Sequence, residues 1–313
     1  MATHPSTFYA LSDVKLPERV VLWDETEVAE KQIEQVGASA CGATAVLNVL
    51  KLLGRSASVD EADSAVKTKL RDLEAPLPQY LLSRSVAGTT HEDLIEGLGK
   101  LTCREIVGKF FHMYPERNFD LENWLKYWLI NGAIPIATLN CQKVPLSDGT
   151  IPDAWHHQVI CGVSSRGVQL TNPVAVCPFN EITKQLCSES VLLIRRHDIL
   201  QRWSNTNDYS SWNSDGINQR WMELKVQEQI NRMVKEETLL LLHGSEIKHR
   251  ELLTTHITIP AAYKSGITLF ALRDSNTHRL LENTTELPIK LTYRERDIGE
   301  QSSVGEINLS INV

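Results

Sequence analysis

The sequence predicts an α+β protein, with helices followed by short strands over its first two thirds and an all-β, sandwich-like region at its C-terminal end. Three observations predict it. Small and aliphatic residues crowd together from Cys41 to Leu53 and stop at Gly54, as in a mostly buried helix. Short apolar runs at 134–139 and 156–163 are bounded by turn residues, as strands are. The last residues alternate strictly, with Ile307, Leu309, Ile311 and Val313 on one side and Asn308, Ser310 and Asn312 on the other.

A chain of 313 residues can bury a sizeable core and is comfortable for two domains. Beyond the Cys41 helix, Thr89 and Glu92 have capping-box spacing ahead of Leu94, Ile95 and Leu98. Asp120 caps a third helix, whose Leu121, Trp124, Leu125 and Trp128 form one stripe and whose exit is Asn131-Gly132. A further strand is expected at 168–171, after a Ser-Arg-Gly turn. The Asn, Ser, Asp and Gly content of 205–216 marks a boundary, and Met222, Val226, Ile230 and Met233 mark an amphipathic helix beyond it. The predicted division is therefore a first domain at 1–205, a linker with its helix at 206–236, and a small β-sandwich at 237–313, where Ile289, Leu291 and Tyr293 also alternate.

A net charge of -7 argues against a phosphate-binding surface, so nucleic acid is not an expected partner. No targeting pattern opens the sequence and no apolar run approaches membrane length, so a soluble, cytoplasmic protein without a membrane partner is expected. The six cysteines (41, 103, 141, 161, 177 and 187) lack CxxC pairing, which fits a reducing compartment and offers no metal site. No cofactor is expected.

A cysteine at a helix N-terminus has a route to thiolate, because unpaired N–H groups and the helix dipole favour negative charge. Cys41 has that position. Most lone cysteines are inert packing, so context must decide. Gln35 lies six residues earlier, where a side-chain amide could aim at a developing oxyanion. His156, at the head of an apolar strand, and Asn172 beyond it supply a base and a group to fix its tautomer. His157 adjoins His156, and neighbouring strand residues face opposite sides, so only one of the two can serve Cys41.

Over about residues 30 to 204 the order of segments resembles the C39-like (bacteriocin-processing) peptidases of the papain superfamily. QVGASACGATAVLNVL is similar to that family's Gln-to-Cys-Gly opening, AGTTHEDLIEGL to its Gly-Thr-Thr helix start, and NGAIPIATL to the Gly-x-Pro strand before the histidine. HHQVICGV and VQLTNPV are similar to its His-led strand and to the strand delivering an Asp-Pro or Asn-Pro pair. The resemblance implies a papain-like domain of helices plus antiparallel sheet, with Cys41 as nucleophile, His156 as base, Asn172 as orienting residue and Gln35 as oxyanion donor. The family's intervals favour His156 over His157, which stays open as the alternative base, since Gly162 follows His156 by six residues and Asn172 by 16. Asn172 stands where most bacterial members carry Asp, and a neutral amide can still hold an imidazole by accepting from its N–H. The chain shows neither membrane spans nor a GxxxxGK[ST] loop, so leader processing coupled to export is not implied.

The function expected is therefore a cysteine peptidase cleaving a peptide or isopeptide bond. Two others compete with it: an acyltransferase or deamidase using the same thiolate, and an inactive papain-like scaffold whose C-terminal β region recruits a protein partner.

Overall fold

A computed structural model describes residues 16–152, 154–213, 218–243 and 253–290. Its elements run β1 (Val20–Val21), α1 (Glu25–Lys31), α2 (Cys41–Leu52), α3 (Val59–Ala65), α4 (Leu77–Val86), α5 (His91–Leu101), β2 (Ile106–His112), α6 (Leu121–Ile130), β3 (Ile134–Asn140) and β4 (Trp155–Ser164). There follow β5 (Gly167–Leu170), β6 (Ala175–Cys177), α7 (Phe179–Leu186), β7 (Val191–Arg195), α8 (Arg196–Arg202), α9 (Asn218–Glu223), α10 (Val226–His243), β8 (His256–Pro260), β9 (Gly266–Leu272) and α11 (Asn276–Asn283).

The strands form a mixed-fold core of helices around antiparallel sheet. The main sheet is ordered β2-β9-β3-β4-β5-β6, with β1 also paired to β4, and β7 pairs with β8 in a second, two-stranded sheet. Pleating sorts the side chains. On β3, Ile134 and Ile136 join Val46, Val49 and Leu50 of α2, while Ala137 and Leu139 join Trp124 and Trp128 of α6 on the other side. A third cluster gathers Leu77 and Tyr80 of α4, Ile230 and Met233 of α10, and Ile257 and Ile259 of β8 around Trp212 and Trp221. Each buried Trp or Phe contributes on the order of 1.5–3 kcal/mol over leaving it exposed, so these layers fix where the strands of the site can lie.

The predicted helices at Cys41 and Asp120 form at 41–52 and 121–130, and Gly132 takes a φ of 83° just past the second. The helix after Gly88 begins one residue later than its capping box implies. Thr90, not Thr89, accepts from the N–H of Asp93, because Thr89 is spent elsewhere: its side chain packs on Gly42 and its carbonyl on His157. The amphipathic helix expected through Met222 and Met233 is two helices, α9 and α10, broken where Lys225 takes a φ of 52°.

The expected separate β-sandwich at 237–313 needs correction. β9 lies inside the main sheet, hydrogen-bonded to β2 on one edge and β3 on the other, and β8 pairs with β7. The reason is the sequence GITLFAL, apolar on both faces: Ile267 and Leu269 enter one core and Phe270 the other. Such a strand is stable only where both faces are covered. Of the alternating residues on which the sandwich was inferred, Ile289 bridges to Arg117, and 291–313 lie outside the described residues.

Candidate active site

Cys41 opens α2 behind Ala40, whose side chain offers no cap. The free N–H groups of the first turn therefore find the sulfur instead: the amides of Cys41 and Gly42 turn toward it, and the N–H of His157 on β4 does so from outside the helix. Gly42 lets α2 pack closely on Thr89, since a Cβ there would come within 2.6 Å of Thr89 Cβ. Cys41 is only 7% exposed. Burial raises its thiol pKa and outweighs the lowering by those N–H groups and by the charge of Arg71. The expected low-pKa thiol is thus not what the resting geometry gives, because desolvation is the larger effect.

The two histidines leave β4 on opposite faces, as their cross-strand partners show: His156 stands opposite Leu139, on the α6 side, and His157 opposite Thr138, on the α2 side that carries Cys41. Their nitrogens are used very differently. His157 is 1% exposed, with Nε2 2.7 Å from the carbonyl of Thr89 and Nδ1 3.1 Å from Thr138 Oγ1. A carbonyl only accepts, so Nε2 carries the proton, Nδ1 accepts from the threonine hydroxyl, and no lone pair is left for a reaction. Burial holds this imidazole's pKa down to about 4.

Among the described residues the His156 ring makes one hydrogen bond, from Nε2 to the backbone carbonyl of Asn172 at 2.6 Å. The same logic puts its proton on Nε2 and leaves Nδ1 with a lone pair. Burial lowers its pKa, partly offset by that carbonyl. Among the described residues, neither ring is hydrogen-bonded to the Cys41 sulfur.

Asn172 and Gln35 come together, though not in the arrangement expected. The Asn172 amide donates to Gln35 Oε1 at 2.8 Å, so the orienting contact to His156 comes from the backbone and not from the side chain. Gln35 Nε2 donates to the carbonyl of Gly37, which turns its amide into its own loop. Gln32, seven residues nearer the start than Ser39, accepts from the Asn172 N–H at 2.9 Å. Gln158 Nε2 donates to the carbonyls of Thr171 and Asn172. Asn172 itself has a φ of 51°, a region that Asn tolerates better than most residues.

Cys41 lines a small cavity of about 30 Å³ together with Arg71, Arg84, Trp155, Leu192 and Tyr263, room for one or two water molecules. The wall residues come from four distant parts of the chain. None of Arg71, Arg84 and Tyr263 belongs to a recognisable motif, and only the folded sheet brings them to the thiol. The six cysteines are free thiols, and among the described residues no group of three or more His, Cys, Asp or Glu could hold a metal ion. No helix among the described residues is long and apolar enough to cross a membrane.

Fold and site together define a mixed α+β protein in which a cysteine-led helix packs on an interior antiparallel strand that carries two adjacent histidines near its start. No family model matches the chain, and no curated protein matches it. Among solved structures it is similar to a double-glycine-motif protease from an AMS/PCAT transporter, in complex with the leader peptide, at 14% identity and a TM-score of 0.29 over 49% of this chain and 82% of that one. It is also similar to the peptidase domain of Streptococcus ComA, a bifunctional ABC transporter involved in a quorum-sensing pathway, at 13% identity and a TM-score of 0.30 over 50% and 90%.

Proposed function

We propose that this protein is a cysteine peptidase in which Cys41 adds to a peptide or isopeptide carbonyl, His156 moves the proton and Asn172 fixes the imidazole. One observation carries the reading: the 2.6 Å bond from His156 Nε2 to the Asn172 carbonyl, which leaves Nδ1 as a basic nitrogen. The ring stands on the α6 side of β4, so the reading requires it to reach round the start of the strand to Cys41. His157 is unsuited to the role, since both its nitrogens are engaged in a buried network. As the sulfur's bond to the carbonyl carbon forms, the thiol proton passes to Nδ1, and His156 later returns it to the departing amine. Gln35 braces Asn172 in the resting state, and its role as oxyanion donor requires its amide to leave the carbonyl of Gly37.

The raised thiol pKa makes reaction depend on the ion pair forming as substrate arrives, when the imidazolium can pay part of the desolvation of the thiolate. A second reading, a binding scaffold without catalysis, is favoured by the same burial of Cys41 and by the size of its cavity. The two separate on one experiment. The full chain is treated with a peptide-based epoxide thiol trap and compared with Cys41→Ala by intact mass and peptide mapping. Modification at residue 41, together with loss of new protein N-termini in cells carrying the variant, supports the peptidase. An unmodified Cys41 under conditions that label exposed Cys103 supports the scaffold.

A further inference from the structure

Tyr263 sits in the link between β8 and β9, and that link is pinned on both sides. Ala261 and Ala262 donate to the carbonyls of Ser190 and Ser85 at 3.0 and 2.8 Å, and Ser265 Oγ to that of Ser188 at 2.7 Å. The phenol ring is stacked on Trp155 at 5.7 Å between centroids and meets His157 edge-on at 6.0 Å. Its hydroxyl reaches over Gly88, where a Cβ would come within 1.9 Å of Oη and where φ is 97°. Only glycine allows the tyrosine this position. Tyr263 thus forms part of the wall of the Cys41 cavity, and a charge on the sulfur acts on the phenol.

Among the described residues no hydrogen bond engages the Tyr263 hydroxyl, although the residue is 9% exposed. The hydroxyl is not among the fully buried atoms left without a partner, so a group entering the cavity that Tyr263 lines can reach it. The expected side-chain donor for an oxyanion, Gln35, has its amide committed to Gly37. We propose that the Tyr263 hydroxyl is a catalytic hydrogen-bond donor to the carbonyl oxygen of the scissile bond, an inference that rests on Cys41 being the nucleophile.

When the C–S bond forms, the C=O π pair moves onto oxygen, and Tyr263 donates a hydrogen bond to it without giving up its proton. Burial raises the phenol pKa and keeps the hydroxyl protonated throughout. When the tetrahedral adduct collapses, the pair returns, the C–N bond breaks, and the amine leaves with the proton held by His156.

The test uses the full chain, Tyr263→Phe, and two thiol probes. Acetyl-glycinal, small enough for a tight site, adds to a thiol and places a new hydroxyl or oxyanion at the carbonyl position. Iodoacetamide alkylates the same thiol at a saturated carbon and needs no such donor. The phenylalanine keeps the stack on Trp155, so the expected result is an acetyl-glycinal affinity at Cys41 weakened about 10- to 100-fold with the iodoacetamide rate within about twofold of native. Unchanged aldehyde affinity overturns the proposal. So does an equal change with both probes, which would make Tyr263 a wall of the cavity only. If neither probe reaches Cys41 in the native chain, the nucleophile itself is refuted and the donor falls with it. A circular dichroism melt of the variant accompanies both measurements, and Tyr263→Trp, which keeps a ring and a differently placed donor, gives partial recovery if donation matters.

Discussion

Asn172 holds His156 through its backbone carbonyl, at 2.6 Å from Nε2, while its side-chain amide is turned to Gln35. Orientation of the imidazole is thereby independent of whether the side chain at 172 is an amide or a carboxylate.

Replacing His156 by Gln should therefore lower turnover by about 10²- to 10⁴-fold, the usual size of a general-base contribution. Asn172→Asp should cost less than about tenfold, because the carbonyl that fixes the ring remains. Steady-state kinetics on a substrate found by N-terminal profiling compares the two. Equal losses would mean that the side chain of Asn172, and not its backbone, does the orienting.

His157 makes a separate prediction, for stability. Its folded pKa of about 4 lies below the unfolded value of about 6.5, so the unfolded chain binds more protons between those limits. Stability from this group is complete above about pH 6.5 and is lost as the pH falls toward 4, by up to about 3 kcal/mol. Melting temperatures from pH 7.5 to 4.5 should fall steeply in the native chain and less steeply in His157→Gln. That variant should also be less stable at pH 7.5, since it gives up the bond to Thr138 or to Thr89.

Gly42→Ala should destabilise by about 1–3 kcal/mol, because the added methyl meets Thr89 at 2.6 Å on a helix whose position is fixed by the sheet beneath it. Chemical denaturation measures the loss. A neutral outcome would show that Thr89 yields and that the close contact of α2 with the start of α5 is not needed.

A chain ending at residue 205 should fail to fold cooperatively. It lacks β9, and β2 and β3 are then parted by the width of a missing strand. A broad, low-enthalpy calorimetric transition with exposed apolar surface is the expected signature. Restoring cooperativity by adding residues 206–290 in trans as a separate chain would show that the strand, and not the covalent link, is what matters.

The helix-borne cysteine, the His-led strand and the Asn-Pro turn were legible because each follows from local rules: small residues after Cys41, an apolar run behind His156, turn residues around Asn172. The partition of the chain into domains was not. Loop composition at 205–216 looks the same whether it separates two domains or carries the chain across one, and GITLFAL reads as a strand without saying which sheet receives it. The proximity of Tyr263 to Cys41 was equally hidden, since more than 200 residues separate them. Gln32, which no sequence motif singles out, accepts from the Asn172 backbone N–H. Cys41's pKa direction depended on burial, which spacing does not report.

The slot between β2 and β3 is filled by a segment synthesised some 150 residues after the first of them. A growing chain emerging from the ribosome carries Cys41, both histidines and Asn172 long before the sheet beneath them can close. Until residue 272 is out, Cys41 lies beside a sheet that still lacks one of its central strands.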